Sequence, residues 1–84
     1  KAYVYQIFDG KKSPSRDKLI AIAFGMQLDE EETRCMLKLA GYSELYPKVP
    51  RDAVILYGIQ RGLTIQETDD LLAEYDLPTL FSHN

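Results

Sequence analysis

The sequence predicts an all-α protein, a compact bundle of about five helices. Three observations lead there. Apolar residues recur at three- and four-residue spacing along most of the chain. Helix-start residues (Ser13 or Ser15, Asp29, Thr64) and helix-stop residues (Gly10, Gly41, Gly62) bracket those stretches. The pattern also repeats at a 35-residue offset: Arg16-Asp17 matches Arg51-Asp52, Ile20 matches Ile55, Leu28 matches Leu63, Glu32-Thr33 matches Glu67-Thr68, Leu37 matches Leu72, and Leu45 matches Leu80. Each unit reads as a helix, a short turn, a capped helix and a terminal aromatic, Tyr46 or Phe81. Two units are too few for a solenoid, so the hairpins are expected to bury their faces on one another.

The first element is the tail of a helix over residues 3–8, with Val4 and Ile7 facing inward. Gly10 sits where a helix stops, because the residue past the last turn usually needs positive φ. Pro14 suits the first turn of the next helix, expected over 16–25 with Leu19, Ile20, Ile22 and Ala23 on its apolar face. Asp29 caps a third helix running to about residue 40. Glu30, Glu31 and Glu32 lie in its first turn, where the helix dipole favours negative charge. Met36, Leu37 and Ala40 make its inner stripe.

A crossing over residues 42–50 contains two prolines and two tyrosines and is expected to be packed but irregular. The fourth helix, over 51–61, is apolar from Ala53 to Tyr57 on nearly all sides, which predicts a central position. Thr64 and Glu67 form a capping box for the last helix. Ile65, Thr68, Leu71, Leu72 and Tyr75 share one face of it, and Leu77-Pro78 stops it.

Eighty-four residues with 45% hydrophobic content make one small folded domain with a modest core. No apolar run approaches the roughly 20 residues that span a membrane. No signal peptide is visible, and the single cysteine, Cys35, cannot form an internal disulfide, so a cytoplasmic location is expected. The chain starts with Lys rather than Met, which suggests that the natural protein continues upstream.

The net charge of −3 is unevenly spread. Residues 1–18 hold five Lys/Arg against two Asp, a balance of +3; residues 19–84 hold five against eleven, a balance of −6. Phosphate contacts need local positive charge rather than a basic whole.

The run Ile7, Gly10-Lys11, Pro14-Ser15, Leu19, Ile22-Ala23 and Leu28 resembles the helix-turn-helix domain of the Cro and phage-repressor type, the xenobiotic-response-element (XRE) family of bacterial regulators. The resemblance covers only the later part of that domain. The first two helices and the start of the recognition helix have no counterpart here, so either the natural protein supplies them upstream or the chain is a remnant that binds DNA poorly. The resemblance implies a partial lambda-repressor-like unit over 1–41 and a helical extension over 42–84, packed together as one domain.

It also implies double-stranded DNA as the partner, with the recognition helix in the major groove. Lys1, Ala2 and Gln6 fall at base-reading positions, and the Gln6 amide suits adenine. Tyr3 could donate to a phosphate or stack on a thymine methyl; Tyr5 could do the same or pack inward. Lys11, Lys12, Ser13 and Arg16 would hold the backbone. Asp9 departs from the pattern and weakens the local field. Regulators of this type usually act as homodimers on near-palindromic sites, and Leu71, Leu72 and Tyr75 are the expected dimer or partner surface.

The remaining polar residues suggest no chemistry. Glu67, Asp69, Asp70 and Glu74 read as a solvated edge. Tyr42, Tyr46, Tyr57 and Tyr75 read as core or interface aromatics. Cys35 has no neighbouring His to activate it, and His83 is in the tail. No phosphate loop, paired zinc ligands or triad order is present, so no enzyme activity, metal or cofactor is expected. The alternative to DNA binding is a helical protein-interaction or dimerisation module with no DNA binding of its own.

Overall fold

The structure is a computed structural model and describes residues 15–80. Among these residues there are four helices and no strand: α1 (Arg16–Gly25), α2 (Glu30–Leu39), α3 (Pro50–Arg61) and α4 (Ile65–Glu74). The helix expected over residues 3–8, which would bring the number to five, lies outside the described residues.

Three of the four helices begin on a side-chain cap. Ser15, not Ser13, caps α1: its Oγ accepts from the Lys18 backbone N–H at 3.2 Å. Asp29 and Glu32 form a full capping box on α2, at 2.8 and 3.1 Å, which the run of three glutamates had obscured. Thr64 and Glu67 form the expected box on α4, at 3.1 and 2.9 Å. Each such cap satisfies an otherwise orphaned backbone donor and contributes about 1 kcal/mol. α3 has no side-chain cap but starts with Pro50, which has no N–H to satisfy.

All four helices also end alike. Gln27, Gly41, Gly62 and Asp76 have positive φ, at 57°, 83°, 71° and 60°. The residue after each (Leu28, Tyr42, Leu63, Leu77) donates back to the carbonyl of Ala23, Leu37, Gly58 or Leu72, at 2.8–2.9 Å. This is the Schellman closure, which uses up the last helix carbonyls. Gly25 has no part in the turn conformation; the left-handed residue after α1 is Gln27.

The core holds Leu19, Ile20 and Ala23 of α1, Met36 and Leu37 of α2, Ile55 and Leu56 of α3 and Leu72 of α4, joined by Leu28, Leu45 and Leu80. Burying each large aliphatic side chain contributes roughly 1.5–3 kcal/mol. α1 packs on α2 and α3 on α4, and the hairpins meet through α1 with α4 and α2 with α3. α3 is less enclosed than its composition suggests: Tyr57 is exposed, and Ala53 and Val54 are only half-buried. The crossing after α2 is irregular, with Leu45 buried and Tyr46 exposed.

The 35-residue repeat is built into this packing. Arg16 at the head of α1 binds Asp52 at the head of α3, and Arg51 binds Asp17 in return. Arg16 also donates to the carbonyls of Ser43 and Glu44; Arg51 donates to those of Pro78 and Thr79, each 35 residues further on. Thr33 Oγ1 donates to the Asp29 carbonyl, and Thr68 Oγ1 to that of Thr64. Even the left-handed positions correspond, Gln27 to Gly62 and Gly41 to Asp76. Such reciprocal contacts mark a local two-fold relation between the hairpins.

Candidate functional site

Of the residues assigned to DNA by resemblance, Lys1, Ala2, Tyr3, Gln6, Lys11, Lys12 and Ser13 lie outside the described residues. Arg16 lies within them, and its role there is different from the one expected. Its guanidinium makes four hydrogen bonds, two to the Asp52 carboxylate and two to carbonyls in the crossing. The geometry is the two-pronged fork that suits a carboxylate. Asp52 is almost wholly buried and accepts a further bond from the Tyr46 N–H at 3.1 Å. Arg16 therefore ties α1 to α3 and to the crossing.

The described residues are acidic. They hold seven Lys/Arg against twelve Asp/Glu, a balance of −5, whereas the remaining residues, with Lys1, Lys11, Lys12 and Asp9, balance at +2. Lys18 is the exposed cation on α1.

The acidic residues mostly serve the fold. Glu32 and Glu67 close the capping boxes. Glu31 pairs with Arg34, which also approaches Glu44 at 3.7 Å, and the Arg34 guanidinium is held above its ordinary pKa chiefly by the Glu31 bond. Glu30 accepts from Gln60 Nε2 at 3.0 Å. Asp69, expected on a solvated edge, is buried and accepts from the Leu80 N–H at 2.7 Å, fixing the chain that follows α4. Asp70 and Glu74 are exposed, as expected. Among the described residues no group of His, Cys, Asp and Glu could hold a metal ion, and Cys35 is exposed.

The expected partner surface divides. Leu72 is completely buried in the core and cannot touch another molecule. Leu71 and Tyr75 instead line an open apolar groove between α3 and α4, with Ala53, Val54, Tyr57 and Leu77. Tyr57 and Tyr75 form its walls and are 46% and 63% exposed, high for aromatic side chains. Arg61 stacks over the Tyr57 ring at 5.2 Å, which fixes that wall.

Sequence reasoning missed the Arg–Asp clasps and the buried Asp69. The repeated Arg-Asp dipeptide at the head of each hairpin was the signal for the clasps. Among known proteins, no family model, curated sequence or solved structure matches this chain.

Proposed function

We propose that the chain belongs to a sequence-specific DNA-binding transcriptional regulator of the XRE helix-turn-helix type. In this reading the segment before Ser15 lies in the major groove and the four-helix body is the platform that carries it. One observation supports it most directly. Leu19, Ala23 and Leu28, aliphatic positions on which the resemblance rests, are buried together, and Ser15 caps the helix that carries the first two. In this reading Lys11 and Lys12 make phosphate contacts and Gln6 reads a base, as the resemblance implies. Two copies would bind a near-palindromic site.

The test is binding to duplex DNA at several salt concentrations. Lys11→Ala and Lys12→Ala should each weaken binding on all sequences and lower the salt slope by about one, while Gln6→Ala relaxes preference at one base pair. No effect from any of them contradicts the reading.

A second reading, a protein-interaction module without DNA binding, is favoured by the −5 balance of the described residues and by the groove between Tyr57 and Tyr75. It predicts no response to the lysine changes and loss of a partner on changing Leu71 or Tyr75.

A further inference from the structure

We infer that the groove between α3 and α4 is a docking site for an amphipathic helix of another protein, one with an apolar stripe flanked by Lys or Arg. The inference goes beyond the DNA reading and stands or fails without it.

The groove belongs to the second hairpin alone. Val54 and Leu71 lie in its lining and are only half-buried, whereas their counterparts 35 residues earlier, Leu19 and Met36, are essentially inaccessible. Tyr57 and Tyr75 correspond to Ile22 and Ala40, so the first hairpin has no aromatic walls at the equivalent place. Two hairpins with corresponding helix closures and Arg–Asp clasps thus differ at this face, and the difference exposes apolar surface. A solvent-facing face at the same register would ordinarily be polar. Tyrosine walls suit an interface, since each ring offers apolar area while keeping its hydroxyl in water.

Charge decides the occupant. Asp70 and Glu74 are exposed one helical turn apart on α4, beside Leu71 and Tyr75, and Asp76 is exposed just past the helix end. This acidic border flanks the apolar lining. A second copy would bring the same acidic edge, and the cation it carries at this groove, Arg61, is held over its own Tyr57, so it offers little opposite charge to Asp70, Glu74 and Asp76. A cationic helix meets the border with opposite charge while its apolar stripe covers Val54, Leu71 and Leu77. Helix-in-groove recognition needs apolar anchors at spacings of three and four residues, which a groove between two helices accommodates.

The experiment uses the full 84-residue chain, labelled with ¹⁵N, and two synthetic helical peptides. Both peptides carry leucines at alternating three- and four-residue spacing; one has lysine flanks, the other glutamate flanks. The lysine peptide should shift the amides of Val54, Tyr57, Leu71 and Tyr75 and bind at least tenfold more tightly than the glutamate peptide. Tyr75→Ala, at an exposed position that leaves the core intact, should weaken it about tenfold, and Asp70→Asn with Glu74→Gln about three- to tenfold. The inference is overturned by no binding, by shifts elsewhere on the chain, or by equal binding of the two peptides. It is also overturned by a concentration-dependent dimer of the chain that Tyr75→Ala abolishes, which would make a second copy the occupant.

Discussion

Arg16 and Asp52 meet at 3.2 Å across the bundle, and the same pair of residue types, 35 positions away in each case, meets again as Arg51 and Asp17 at 3.0 Å. The two clasps are not equal. The Asp52 side chain is 7% exposed and that of Asp17 is 42% exposed. Removing one partner of a buried pair leaves an uncompensated charge, whereas an exposed pair is screened by water. Asp52→Ala should therefore cost about 2–3 kcal/mol of stability and Asp17→Ala about 1 kcal/mol or less. Urea unfolding of the two variants checks the order; equal losses would contradict the unequal clasps.

Gln27 and Gly62 occupy corresponding left-handed positions, at φ 57° and 71°. Only glycine takes that conformation without steric cost. Gln27→Gly should be neutral or stabilise by up to about 1 kcal/mol, and Gly62→Ala should destabilise by about 1 kcal/mol. A lowered thermal midpoint for Gly62→Ala and an unchanged or raised one for Gln27→Gly are the expected result.

Gly58 packs against Thr68, and a Cβ at position 58 would overlap Thr68 Oγ1. That oxygen has little room to retreat, because Thr68 is fully buried and bound to the Thr64 carbonyl at 3.0 Å. Gly58→Ala should cost roughly 1–3 kcal/mol by overpacking. Adding Thr68→Ala should recover part of that loss, so the double variant is more stable than the sum of the single losses predicts. Strict additivity would mean that the close approach is not what limits this position.

Much of the architecture was legible in the sequence, and the misses have physical causes. The box at Thr64 and Glu67 and the stops at Gly41 and Gly62 could be read because each depends on residues adjacent in the chain. Gln27 and Asp76 carry no glycine signal; they take the same conformation where the Leu28 and Leu77 N–H groups close back on the Ala23 and Leu72 carbonyls. Asp52 and Asp69 were hidden by the default that carboxylates face water, which fails when a guanidinium or a backbone N–H from a distant segment meets them. On α4, helical periodicity grouped Leu71, Leu72 and Tyr75 but could not say which edge of that face was buried; packing against α1 and α3 puts Leu72 in the core and leaves Tyr75 at the rim. The resemblance makes Arg16 a phosphate contact, while its partners within the fold lie 27 to 36 residues away.

On the DNA-binding proposal, Arg16→Ala should lower stability and, in chain that remains folded, leave the salt dependence of DNA binding unchanged. Lys11→Ala should do the reverse, lowering the salt slope by about one with no loss of stability. Unfolding curves and binding titrations on the same two preparations check this contrast.

The most direct test of DNA binding compares this chain with a version carrying the upstream coding sequence, each titrated with duplex DNA at two salt concentrations. On the DNA-binding proposal, binding is strong and salt-sensitive in the longer version and weaker in this chain. Absence of salt-dependent binding in both versions would contradict it and leave the four-helix body as an interaction module.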